Sequence, residues 1–158
     1  MYVTRDGREI AYRAIEPEIS PGASVEIAVA GMAAALVVDR RYVLLSRGRE
    51  EPFARVQALE VLEDRRFTLG PIAFQGASSD AALLCAQRER AASRVVRVDA
   101  SGAAMTLFEI YGIDGSAPPE IGALSWDATR QTLWGVASGA GMFMCTAPGA
   151  TRGKFSLS

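Results

Sequence analysis

The sequence predicts an all-β protein built from four-stranded antiparallel repeats in a single domain covering residues 1–158. Three observations predict it. Apolar segments of strand length follow one another, each bounded by Gly, Pro, Asp or Ser. Several are continuous apolar runs (YVLLS, AALLCA, LWGVA), as expected of strands covered on both faces. Gly-led segments of similar make-up also recur along the chain. With 158 residues, 49% of them hydrophobic and 22% charged, the chain is long enough for an ordinary core without a metal or disulfide staple.

The elements follow in order. VTRDGREIAY reads as a hairpin around Asp6-Gly7, a dipeptide that tolerates positive φ. EPEISPG (16–22) is a loop, followed by the strands SVEIAVA and MAAALVVD. Arg40-Arg41 separates these from YVLLS. Residues 52–64 are ambiguous. Pro52 behind Glu50 and Glu51 suits a helix start, and Phe53, Val56, Leu59 and Leu62 recur every three residues. As a strand, the segment puts Val56, Ala58 and Leu62 on one face with Glu60. The surrounding strands favour the strand reading, and 52–64 remains the one serious helix candidate. TLGPIAFQ, AALLCAQR, RVVRVDA and AMTLFEIYG come next, then the loop GIDGSAPPE (112–120). IGALSWD, TLWGVAS, MFMCTAP and KFSLS complete the chain, with SGAGM (138–142) as a glycine-rich hairpin turn.

The repeat aligns GMAAALVVD from Gly31, GPIAFQGAS from Gly70 and GALSWDATR from Gly122. A second strand follows each (YVLLS, AALLCA, TLWGVA), which places Leu44, Leu84 and Leu133 at matching positions. A third strand follows: ARVQALEVLED, SRVVRVDA or MFMCTA. In the first two copies RFTLG or AMTLFEIY supplies a fourth. Over residues 31–147 this pattern resembles the blades of a β-propeller, most visibly in ALSWDATRQTLWGVAS. The resemblance is architectural. The sequence has no repeated Trp-Asp ending, no kelch double glycine and no sialidase-type Asp box, so no functional residues carry over. It implies about three blades plus the N-terminal hairpin, fewer than the roughly four to eight that close a ring. A sandwich or barrel is the alternative fold. An open arc would expose blade faces and strand edges, so association with a second copy or another protein is expected.

Composition narrows function by what is missing. Histidine is absent, which removes the commonest general base, Ser-His-Asp and Cys-His pairs, and most zinc sites. A net charge of −1 argues against bulk-charge binding to nucleic acid or anionic membrane. DGREIAYR is like the opening strand of many α/β-hydrolases, but there is no G-x-S-x-G elbow; the nearest string is Gly76 to Asp80. SGAGM lacks the Lys and Ser/Thr of a phosphate loop. No cofactor and no metal are expected. Cys85 and Cys145 lie in apolar runs and read as reduced, buried thiols. The charged start MYVTRDGREI and the short apolar run 27–38 suggest a cytoplasmic protein with no membrane association. Lys154 is the single lysine among 17 basic residues, and with the many Ala this suggests a GC-rich bacterial coding bias.

Candidate interaction residues are the arginines and the chain end. Arg40, Arg41, Arg47 and Arg49 form one group; Arg88, Arg90, Arg94 and Arg97 form the other. Either suits an acidic protein or phosphate, although Glu50, Glu51 and Glu89 neutralise them locally. Phe155 and Leu157 mark the C-terminal strand as an edge for a second chain. Trp126 and Trp134, in adjacent strands, are candidates for stacking on a flat ligand such as a sugar. Asp39, Asp80, Asp99, Asp114 and Asp127 sit at strand ends, where turn chemistry also puts them. The expected function is a non-enzymatic protein-binding or assembly module. The alternatives are a hydrolase or lyase using carboxylates, and a carbohydrate or small-ligand binder.

Overall fold

The structure is a computed structural model that describes residues 15, 19–59, 67–139 and 141–146, and the backbone at 2–3 and 9–10. β1 (Tyr2–Val3) and β2 (Glu9–Ile10) pair antiparallel, so the N-terminal hairpin forms; its Asp6-Gly7 turn lies outside the described residues. Three meanders follow. Sheet I contains β3 (Val25–Ala30), β4 (Ala33–Val38), β5 (Tyr42–Ser46) and β6 (Ala54–Arg55). Sheet II contains β7 (Thr68–Phe74), β8 (Leu83–Arg88), β9 (Ala92–Val98) and β10 (Ala104–Tyr111). Sheet III contains β11 (Ile121–Asp127), β12 (Thr132–Ala137) and β13 (Gly141–Thr146). Within each sheet every strand pairs antiparallel with the next in the chain, and the sheets stay separate rather than closing into a barrel. Among the described residues the only helical elements are single 3-10 turns at Gln57–Leu59 and Ile113–Gly115.

The sheets stack in chain order through their first strands: β7 packs on β3 and β4, and β11 packs on β7 and β8. This order is compatible with a propeller-like arrangement. The repeat frame read from glycines needs one correction. In sheets II and III the second strands are LLCAQR, which overlaps the expected AALLCA, and TLWGVA. In sheet I the first strand is VEIAVA, so AAALVV is second and YVLLS third. RFTLG is no fourth strand either, because TLG opens β7. The glycines that suggested the frame do different jobs. Gly31 lies in the β3–β4 turn with φ +56°, whereas Gly70 lies within β7 and Gly122 near the start of β11. Leu44 therefore sits on a third strand while Leu84 and Leu133 sit on second strands; all three are buried.

Residues 52–59 form neither a long strand nor an α-helix. Two strand residues, Ala54–Arg55, lead into the 3-10 turn. Phe53, Val56 and Leu59 are all buried, and their spacing of three is that of a 3-10 turn rather than an α-helix. Residues 60–64 lie outside the described residues.

The core is divided by sheet II. Its β7 residues Leu69, Ile72 and Phe74 pack with Leu83, Cys85, Val96 and Val98 against Ala30, Ala35, Val37 and Val43 of sheet I. Its opposite face, with Leu84, Ala86 and Val95, packs against Ile121, Leu133 and Phe143 of sheet III. A third cluster forms on the outer face of sheet I, where Ile15, Ile19 and Ala23 cover Leu36, Val38, Leu44 and Phe53. The strand alternation thus buries both faces of sheet II but one full face each of sheets I and III.

Candidate functional site

Polar ties lock the stack at both ends of its strands. At the β4–β5 turn, Arg40 adopts φ +57° and its Nε donates to the Leu69 carbonyl at 3.1 Å. Its Nη2 donates to Glu120 Oε1 at the entry to β11. Arg88 Nη1 of sheet II donates to the other oxygen, Glu120 Oε2, at 3.3 Å. One carboxylate therefore joins all three sheets. Elsewhere, the Met32 N–H donates to Ser79 Oγ at 2.9 Å. Arg47 Nη1 donates to the Ser79 and Ala81 carbonyls at 2.8 and 2.9 Å. A Cβ at Gly31 would come within 2.9 Å of Ser79 Oγ, so this turn needs glycine for its close approach as well as its φ.

The structure distributes the predicted arginines rather than gathering them. Pairing of Cys85 with Val96 and of Leu84 with Arg97 puts Arg94 on the sheet I side of β9 and Arg97 on the sheet III side. Arg94 Nε donates to Gln87 Oε1 at 2.9 Å, and its guanidinium lies over the Phe67 ring. Arg97 Nε donates to Gln75 Oε1 at 2.7 Å. Arg88 is held by Glu120, and Arg90 is exposed in the β8–β9 turn. Phe155 and Leu157 lie outside the described residues.

The tryptophans also separate. Trp126 pairs with Leu133 and Ser125 with Trp134, so the two indoles lie on opposite faces of sheet III. Trp126 packs into the core against sheet II, whereas Trp134 faces outward, half-buried. They do not form one platform.

The carboxylates serve their own turns. Asp39 Oδ1 accepts from the Ser24 N–H. Asp99 Oδ1 accepts from Ser101 Oγ and from the Ser101 and Ala103 N–H groups, and the hydroxyl bond leads in holding its carboxyl below the usual range. Asp127 is held low chiefly by its bond from Arg130, with backbone N–H groups adding to it. Asp80 and Asp114 are exposed. Burial pushes the Cys85 thiol up to about 12 and raises Cys145 as well, so neither is an activated nucleophile. Among the described residues, no three or more His, Cys, Asp or Glu side chains gather in a metal-binding group, and no helix is long and apolar enough to cross a membrane.

One open cleft of about 470 Å³ lies between sheets II and III, lined by Tyr111, Ile113, Pro119 and Phe143. Its Tyr111 hydroxyl donates to Glu109, which raises the phenol above its ordinary value.

Exposed end faces were expected from the sequence, but not the residues that form them, and those residues are apolar. At one end of the stack β3 exposes Val25, Ile27 and Val29 at 45, 66 and 68%. At the other end sheet III exposes Val136, Met142 and Met144 at 48, 51 and 43%, beside exposed Ala123 and half-buried Trp134. The signal was in the alternation of VEIAVA and GMFMCT, where one face of each strand is apolar and none of the described residues covers it fully. No protein-family model and no curated protein matches the chain.

Proposed function

We propose that the chain is a non-enzymatic assembly module, a propeller-like arc of three sheets whose open end faces are covered by another polypeptide. The carrying observation is the apolar exposure at both ends of a stack whose internal faces pack against one another. Fully burying a Val, Ile or Met side chain stabilises by roughly 1.5–3 kcal/mol. Leaving Val25, Ile27, Val29, Val136, Met142 and Met144 this exposed forgoes several kcal/mol, a large part of a domain's total of about 5–15 kcal/mol. Contiguous exposed apolar patches on soluble proteins mark interaction surfaces. The arginines do not compete as the primary surface, because Arg88, Arg94 and Arg97 are engaged within the stack.

A photo-crosslinking side chain placed at position 136 or position 27 of the full chain, in growing cells, tests this reading. The exposed turn residue Thr129 is the control position. Discrete covalent adducts at 136 and 27, with none at 129, are expected. No adduct at either position overturns the assembly reading.

A further inference from the structure

We infer that the polypeptide covering each end face is a second copy of this chain, joined head to tail so that sheet III of each copy seats on β3 of the other. The inference rests on the assembly reading and adds the identity and orientation of the partner.

Both internal junctions follow one size rule. Where sheet II meets sheet I, β3 presents Ala28 and Ala30 while β7 answers with Leu69, Ile72 and Phe74. Where sheet III meets sheet II, β7 presents Gly70 and Ala73, and β11 answers with Ile121, Leu124 and Trp126. The fit is close: a Cβ on Gly70 would lie 3.1 Å from Ala86 Cβ and 3.3 Å from the Ile121 carbonyl. Each first strand therefore carries small residues towards the next sheet and large ones towards the previous sheet.

The first strands at the two ends carry the unmatched halves of the same size rule, while the outward face of β4 and β5 in sheet I is covered within the chain. On its outward face β11 carries Ala123 and Ser125, with Val136 opposite Ala123 on β12. That is the small side, awaiting a large first strand. The outward face of β3 carries Val25, Ile27 and Val29, the large side, awaiting a small one. The cover from Ile15, Ile19 and Ala23 lies over Leu36, Val38 and Leu44 on β4 and β5, and among the described residues Val25, Ile27 and Val29 of β3 stay exposed. Because the ends differ from one another, one end of a copy fits the opposite end of another. Two such junctions close a ring of six sheets, inside the roughly four to eight of closed propellers.

Complementing variants test the orientation. I27K damages only the β3 face, and V136E damages only the sheet III face. Each variant alone is expected to weaken dimerisation by roughly a hundred-fold, since a charge is buried without a partner. An equimolar mixture should recover a heterodimer, because one junction is then wild type on both sides and the other brings Lys against Glu. Far-UV circular dichroism of each variant should match that of the wild type, since both positions lie on exposed faces. Dimerisation lost in only one variant means that like faces meet, and overturns the head-to-tail arrangement. Dimerisation unchanged in both overturns the interface altogether. Crosslinked adducts at 136 and 27 whose mass is not that of two copies would overturn the second copy while leaving the assembly reading standing.

Discussion

Arg40 of the first sheet donates to the carboxylate of Glu120 across 80 positions of sequence, and the same carboxylate receives Arg88 of the second sheet. The stack is thus tied at a point where its three sheets converge. The side chains are 44, 35 and 36% exposed, so water and salt screen them. Glu120→Ala should lower stability by about 1 kcal/mol at low ionic strength, the upper range for exposed pairs because two arginines lose a shared partner. Urea unfolding of both proteins reads the difference, which should shrink as salt is raised.

The junction between sheets II and III should tolerate little change in volume. Leu84→Ala and Leu133→Ala each remove a fully buried side chain and should cost about 2–5 kcal/mol. Gly135→Ala should also destabilise, by about 1–3 kcal/mol. A Cβ there would come within 2.1 Å of the Phe143 ring, which is itself packed edge-on against Phe108 at 5.4 Å. Equilibrium denaturation decides each case, and a neutral Gly135→Ala would show that the Phe143 ring moves freely.

The two thiols should differ in reactivity. Cys145 is partly exposed and Cys85 is fully buried, with burial the larger cause of its rise to about 12. Alkylation of the native protein should modify Cys145 first and leave Cys85 until unfolding. An unfolded thiol ionises near ~8.5. The contribution of Cys85 to stability is therefore complete below that pH and is lost as pH rises towards about 12. Cys85→Ala should flatten the alkaline decline, as read by denaturation at a series of pH values.

The Asp127 turn gives the opposite pH dependence. The Arg130 side-chain bond, then backbone N–H groups, hold its carboxyl below the usual range. Its contribution is present above that range and lost as pH falls through the lowered value. The stability gap between wild type and Asp127→Asn should close on acidification, and a gap constant down to the lowest measurable pH would contradict the turn's role.

Much of the fold was legible because strand alternation and turn residues are local signals. TLWGVA and AALLCA read as strands from their own residues, and so did the polar turns around Asp99 and Asp127. The frame of the first sheet was not legible, since Gly31 in a turn and Gly70 within a strand look alike as letters. Nor was the segment from Phe53 to Leu59, whose spacing of three suits helix and 3-10 turn alike. The arginines drew notice because charge is conspicuous, yet Gln75, Gln87 and Glu120, distant in sequence from several of them, hold them in place. Open end faces followed from the count of three blades, but alternation in VEIAVA and GMFMCT marks an apolar face without telling which sheet lies opposite, so Ile27 and Met142 were not singled out.

The mass of the wild-type protein in solution tests the central claim most directly. Light scattering across a dilution series should give a species of twice 16.8 kDa that dissociates to the single chain only on dilution. A mass of 16.8 kDa at every concentration up to the limit of solubility would contradict ring closure by a second copy.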